Sequence, residues 1–87
     1  MFQPAELTMA NAGAALQAGL QAIASGQTEI DLGQASKVDS AGVATLLAWQ
    51  RAANERKQAL VFRNIPPNLH SLAHMYGVDS LIPQAQA

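Results

Sequence analysis

The sequence predicts a small α/β fold, with a mixed or mainly parallel sheet and helices largely on one face. Segments with the two-residue period of strands alternate along the chain with segments of helical period. Such alternation implies crossover connections and a mainly parallel sheet. The chain has 87 residues, of which 49% are hydrophobic, which suits one core but leaves too few helices to cover both sheet faces. We therefore expect a single domain over residues 1–87.

The first elements are a short strand and a helix. Residues 5–9 alternate between apolar and polar side chains, although Pro4 restricts this segment to a strand start or a sheet edge. Apolar side chains at three- and four-residue spacings predict a helix over residues 14–24. Asn11 is a possible N-cap, and Ser25-Gly26 is a natural end.

A second strand and a longer helix follow. Residues 28–32 have the period of a strand, residues 33–36 form a turn, and Lys37-Val38 leads out of it. Asp39-Ser40 then opens a helix that runs to about Gln58.

Projection at 100° per residue separates the two faces of this second helix. The face predicted to pack on the sheet carries Val43, Leu46, Leu47, Gln50, Ala53 and Asn54. The opposite face carries Thr45, Trp49, Ala52 and Arg56. A large apolar side chain outside the core stripe suggests a partner surface, since tryptophan is enriched among interface anchors. The alternative is that Trp49 lies against a neighbouring helix of the same domain.

The last third of the chain predicts a strand over residues 59–65, stopped by Pro66-Pro67, and a third helix. Asn68 is the expected cap of this helix and Gly77 the residue just beyond its end. The residues expected to be mostly buried are Ile30, Leu32, Val43, Leu46, Leu47, Leu60, Phe62, Leu72 and Ile82.

Composition excludes several classes of function. Five Lys and Arg against six Asp and Glu give a net charge of −1, which does not supply the positive potential that nucleic-acid binding needs. With no cysteine, thiolate metal sites and cysteine nucleophiles are excluded. No apolar stretch approaches the ~20 residues of a membrane span, so we expect no direct membrane insertion and a cytoplasmic location.

The pair Asp39-Ser40 is the main candidate for a functional site. A hydroxyl at a helix N-terminus is accessible, and the exposed N–H groups and the helix dipole favour an anion there, including a phosphate placed on Ser40. Ala41 and Gly42 keep the first turn free of bulky side chains, so that a partner's backbone could approach. The alternative is that Asp39 or Ser40 only caps the helix, since both residue types are preferred caps.

Metal binding and hydrolysis are less favoured. His70 and His74 have the four-residue spacing of helical metal ligands, but no third ligand accompanies them, so no metal is expected. A hydrolase with Ser40 as nucleophile would need Asp39 and a histidine beside it, and the sequence has no Gly-x-Ser-x-Gly elbow. No phosphate-binding glycine loop is present either. We therefore expect neither an enzyme nor a cofactor.

The segment from Asp31-Leu32 through Val38-Asp39-Ser40-Ala41-Gly42-Val43 to Leu46-Leu47 resembles the signature of the STAS domain (sulfate transporter and anti-sigma factor antagonist). With Trp49, the segment Asn64-Ile65-Pro66 and the stretch from Leu72 to Pro83, the chain is similar to the stand-alone STAS proteins of the Mla phospholipid-transport system. The resemblance covers about residues 5–83. STAS domains normally begin with a two-strand hairpin, which is shortened here.

This resemblance implies a regulatory subunit that binds the cytoplasmic ATPase of an ATP-binding-cassette (ABC) transporter. It would lie on the cytoplasmic side of an inner-membrane complex that maintains outer-membrane lipid asymmetry. The alternative is an anti-sigma factor antagonist whose Ser40 is phosphorylated by an anti-sigma kinase. Ser40 is the expected switch residue in both. The residues expected to contact the partner are Asp39, Ser40, Ala41, Gly42, Thr45, Trp49 and Ala52.

Overall fold

The computed structural model describes residues 2–83. The elements in chain order are β1 (Glu6–Leu7), α1 (Ala12–Ala24), β2 (Glu29–Asp31), β3 (Lys37–Val38), α2 (Ser40–Glu55), β4 (Val61–Arg63), α3 (Pro67–Met75) and a 3₁₀ helix (Asp79–Leu81). The predicted alternation of strands and helices is confirmed.

Every strand pair in the described residues is parallel. β1 pairs with β3, and β2 pairs with β4. A single parallel bridge between Phe2 and Ile30 connects the N-terminal segment to β2, so β2 and β3 follow one another along the same side of that segment. On the far side of β4, the amide of Phe62 donates to the carbonyl of Pro83 over 2.9 Å.

The order of the strands explains why the helices form one layer. The chain moves in the same direction across the sheet at each crossover, from β1 to β2 and β3, and then to β4. Because parallel crossovers are right-handed, both crossover helices must cover the same face. α2 lies between α1 and α3 and contacts both. Within residues 2–83, one short strand precedes α1.

The predicted core residues lie in or against the core. Seven of the side chains are buried, namely Ile30, Leu32, Val43, Leu46, Leu60, Phe62 and Ile82. Leu47 and Leu72 are partly buried and pack against that cluster. The face of α2 that was expected to pack on the sheet therefore does so at Val43 and Leu46.

The expectation that the opposite face of α2 is free of the core is wrong at Trp49. The indole is 0% exposed, and its Nε1–H donates to the carbonyl of Leu16 in α1 over 3.1 Å. Its ring meets that of Phe2 edge to face, with the centroids 5.5 Å apart. α2 buries two sides because it packs on the sheet with one and on α1 with the other.

Three predicted helix boundaries also differ from the structure. α1 begins at Ala12 rather than at residue 14. α2 ends at Glu55 rather than at about Gln58, because Lys57 takes a positive φ of 54° and turns the chain out of the helix. α3 begins at Pro67, with Pro66 rather than Asn68 at the N-cap position. Proline suits a first helical position because its missing N–H would have no partner within the helix there.

Candidate functional site

The N-terminus of α2 is built around the carboxylate of Asp39. This residue is the N-cap, and its Oδ1 accepts the backbone N–H of Ala41 over 2.8 Å. Its Oδ2 accepts the backbone N–H of Met9, in the turn between β1 and α1, over 3.1 Å. The interpretation of Asp39 as a cap is thus confirmed, and one side chain joins two neighbouring segments.

Ser40 is the first residue of α2, and it is exposed. The cap is supplied by Asp39, so Ser40 is not required for that task. Position and exposure together leave its hydroxyl available to a partner or a modifying enzyme, at the positive end of the α2 dipole.

An apolar groove lies between the first turns of α1 and the first half of α2, and its lining on α2 begins at Ala41, the residue after Ser40. We call it the α1–α2 groove, and it has a volume of about 340 Å³. Its lining consists of Ala12, Gly13 and Leu16 of α1 with Ala41, Ala44, Thr45 and Ala48 of α2. Ala44 and Gly13 are exposed, so the groove is open to solvent and carries mostly small side chains.

Several residues expected to contact a partner have other roles in the structure. Trp49 lies in the core and cannot serve as a surface anchor. Thr45 is only 5% exposed, and its Oγ1 donates to the carbonyl of Ala41 over 2.8 Å. Gly42 is buried, and a Cβ there would lie 2.8 Å from the carbonyl oxygen of Leu7. The absence of a side chain at Gly42 thus permits the close approach of α2 to β1. Ala52 is half-buried.

The loop that leads into β3 is fixed by a second carboxylate. Asp31 accepts the backbone N–H of Gly33 over 2.8 Å and the side-chain amide of Asn64 over 3.1 Å. These two hydrogen bonds, that of Gly33 first, lower the pKa of Asp31 below its ordinary value of 3.8. Asp31 therefore stays ionised and holds the turn that precedes Lys37-Val38 and the Asp39-Ser40 pair.

The histidines lie on α3, and His74 contacts Asp79. Nδ1 of His74 is 3.0 Å from Oδ2 of Asp79, in the 3₁₀ helix. His70 is exposed. Within residues 2–83, no three His, Asp or Glu side chains come together in a way that could hold a metal ion.

Met9 is one of four exposed large hydrophobic residues in the described part of the chain, and the sequence did not indicate it as a surface residue. Its side chain is 80% exposed, and its backbone N–H is bound by the residue that precedes Ser40. The sequence placed Met9 at the end of an alternating strand, whereas the strand ends at Leu7 and Met9 lies in a turn. The signal that could have revealed the turn was Asn11, whose Oδ1 accepts the N–H of Thr8 over 3.0 Å.

Comparisons with known proteins agree with this arrangement. A family model described as "Mlab, STAS domain" matches residues 5–83. A search of the curated proteins finds no match. In the described residues, no helix is long and apolar enough to cross a membrane. With its parallel strands, its layer of helices and an Asp-Ser pair at the start of α2, the chain belongs to the STAS family.

Proposed function

We propose that this protein is a non-catalytic accessory subunit that binds the cytoplasmic ATPase of an ABC transporter for phospholipids. The observation that carries the proposal is the exposed Ser40, which directly precedes Ala41 in the lining of the open α1–α2 groove. A groove lined by alanines and a glycine suits close contact with a partner's backbone, since few side chains stand in the way. The description of the matching family as "Mlab" supports a role in phospholipid transport.

The geometry around Ser40 favours binding over catalysis. Both oxygens of Asp39 already accept backbone N–H groups, so Asp39 is occupied in holding the fold. A Ser-His-Asp triad also needs a histidine within hydrogen-bond reach of the nucleophile, but the carboxylate partner of His74 is Asp79. STAS domains are generally non-catalytic and mediate contacts between proteins.

The exposure of Ser40 also favours a second candidate, an anti-sigma factor antagonist whose Ser40 is phosphorylated by an anti-sigma kinase. A phosphate at the first residue of α2 would meet the positive end of the helix dipole, but it would repel the adjacent Asp39 carboxylate. The modification would therefore change the charge of the same surface that the first candidate uses.

Binding to purified partners separates the two candidates. We expect the chain to bind an ABC-transporter ATPase with its permease and to raise the rate of ATP hydrolysis in that complex. We expect no binding to, and no phosphate transfer from, an anti-sigma kinase. Transfer of phosphate to Ser40, with no effect on the ATPase, would support the antagonist instead.

Substitutions in the groove test the contact surface. Ala44→Glu places a charge in the α1–α2 groove and should weaken ATPase binding by at least about thirtyfold. Ser40→Ala should lower ATPase activation while leaving the fold intact, because Asp39 supplies the cap. The matched control is Ala18→Glu, an exposed alanine of α1 outside the groove, which should change the affinity less than about twofold. Equal affinities for Ala44→Glu and the wild type would overturn the proposed surface.

A further inference from the structure

The turn that carries Met9 is held from two sides. From within, Asn11 accepts the N–H of Thr8 over 3.0 Å and donates from Nδ2 to the carbonyl of Glu6 over 2.7 Å. From α2, Asp39 accepts the N–H of Met9 over 3.1 Å. Residues at the end of β1 and the start of α2 thus share a small hydrogen-bond network.

The same network holds the backbone of Met9 against the residue that precedes Ser40, while the Met9 side chain is exposed. Met9 is 80% exposed, the highest value among the exposed large hydrophobic residues of the described chain. A flexible thioether side chain adapts to irregular surfaces, and methionine is frequent at binding surfaces for that reason. Burial of such a side chain against a partner is favourable in proportion to the apolar area removed from water.

We propose that Asp39 is a positioning residue of the partner surface, which ties the Met9 turn to the first turn of α2 so that Met9 and Ser40 contact the partner as one surface. This inference rests on the proposed function and deepens it, since it assigns the apolar anchor to Met9 in place of the buried Trp49. Asp39 acts through Met9 and Ser40 and is not itself required to touch the partner.

The chemistry of the site requires a carboxylate. Two backbone N–H groups, those of Met9 and Ala41, converge on two oxygens. An asparagine offers one acceptor and one donor, so one of the two N–H groups would face an N–H₂. A serine at position 39 caps helices as well as aspartate does, but its single short hydroxyl cannot also reach Met9.

Asp39→Ser separates the cap from the link to Met9. In this variant we expect the midpoint of thermal unfolding to change little and hydrogen exchange at the Met9 amide to accelerate about tenfold or more. Affinity for the ABC-transporter ATPase should fall by about tenfold, with a similar loss for Met9→Ala. A purely structural role for Asp39 would lower the thermal midpoint instead and leave the affinity of the folded variant unchanged.

Asn11→Ala provides an independent route to the same effect. This variant loosens the turn from within and leaves the Asp39 cap of α2 in place. It should also weaken ATPase binding, and the double variant Asp39→Ser/Asn11→Ala should lose less than the sum of the single losses, because both act on one turn.

The outcomes separate this inference from the proposed function. If Ala44→Glu abolishes ATPase binding while Asp39→Ser and Met9→Ala bind like the wild type, only the positioning role is overturned. If Ala44→Glu and Ser40→Ala also bind and activate like the wild type, the proposed function itself fails. Accelerated exchange at Met9 in Asp39→Ser, with unchanged affinity, would show that the link exists but does not serve binding.

Discussion

Gly19 leaves the space in α1 that the Trp49 indole of α2 fills. A Cβ built at Gly19 would overlap the indole, with Cε2 and Nε1 as its nearest atoms. The ring cannot move away easily, because it is buried and hydrogen-bonded to the carbonyl of Leu16. Glycine inside a helix is unfavourable by itself, so its presence at this position is explained by the contact with tryptophan.

Substitution of two glycines in α1 tests this contact. Gly19→Ala should lower the free energy of unfolding by about 1–3 kcal/mol, because overpacking outweighs the gain in helix propensity. Gly13→Ala is the matched control, since no atom lies within 4 Å of a Cβ at that position. It should raise the free energy of unfolding by up to about 1 kcal/mol. Urea titrations of both variants give these values, and a stabilised Gly19→Ala would contradict the packing described here.

The same pair of residues shows what could be predicted at this scale. At 100° per residue the helical projection places Trp49 only about 60° from Leu46, at the edge of the buried face and not opposite it. It could not show that this side is covered, because that depends on where α1 lies. The signal was Gly19, which marks a close approach of another element in the middle of a helix, but the sequence does not tell which residue approaches.

The helices α1, α2 and α3 end in the same backbone motif, but only α1 and α3 are followed by a glycine at the residue with the positive φ angle. Beyond α1 and α3, Gly26 and Gly77 have positive φ angles of 99° and 72°. Beyond α2, Lys57 takes this conformation with a φ of 54°. At this end the N–H of Gln58 bonds to the carbonyl of Ala53, as in the Schellman motif.

Lys57→Gly should therefore stabilise the protein. A residue with a side chain in the left-handed region is less stable than glycine there by roughly 1–2 kcal/mol, so the substitution relieves this strain. Part of the gain is lost because glycine has more conformational freedom in the unfolded chain. We expect a net increase of about 0.5–1 kcal/mol in the free energy of unfolding, measured by urea titration. Arg56→Gly, one residue earlier and with a φ of −91°, is the control and should be destabilising. A lower free energy of unfolding in Lys57→Gly would show that the Lys57 side chain stabilises the protein by more than its strained backbone destabilises it.

The sequence predicted the order and type of the helices and strands better than the residues at which they begin and end. The glycines at positions 26 and 77 indicate the ends of α1 and α3, and the predicted ends of these two helices are correct within a residue or two. The end of α2 was placed too late because lysine gives no sign of a positive φ. The strands β1 and β3 have only two residues each. Their length is set by tertiary contacts rather than by a hydrophobic period in the sequence.

The whole molecule should lose stability in acid. Hydrogen bonds from Arg63, Gly33 and His74 lower the pKa values of Glu29, Asp31 and Asp79, respectively, below the ordinary values of 4.5 for glutamate and 3.8 for aspartate. A carboxyl group whose pKa is lower in the folded protein than in the unfolded chain stabilises the folded state, and it does so fully when the pH is above the pKa of the unfolded chain. This stabilisation is lost as the pH falls through the pKa of the folded protein. Each effect is small, because Glu29, Asp31 and Asp79 are all partly exposed and solvent screens their interactions.

Thermal unfolding between about pH 7 and about pH 3 measures this dependence. The midpoint should fall mainly below about pH 5. Glu29→Gln removes the partner of Arg63, which binds Glu29 through two nitrogens at 2.9 Å, and should make the profile shallower. Glu55→Gln, at the exposed end of α2, is the control. A profile unaltered by Glu29→Gln would mean that the ion pair does not contribute to the acid sensitivity.

At this scale, the sequence predicted that Asp39-Ser40 stands at the start of α2, but not which other segments surround the pair. The Asp39-Ser40 pair could be read from the sequence because the residue types of helix caps are local signals. The α1–α2 groove and the hydrogen bond from Met9 to Asp39 could not, since each depends on segments about thirty residues apart in the sequence.

The all-parallel pairing of the described strands has a consequence for how the chain folds. No two neighbouring strands are joined by a hairpin, so strand pairing cannot start locally. The contacts between Leu16 and Trp49, Glu29 and Arg63, and Ile23 and Gln58 join residues 33, 34 and 35 positions apart. Each therefore requires closure of a loop of similar length, at an entropic cost that grows only with the logarithm of that length. Because these loop closures have nearly equal entropic costs, no single contact is favoured as an early folding nucleus. We therefore expect the sheet and the α1–α2 contact to form together in one cooperative step.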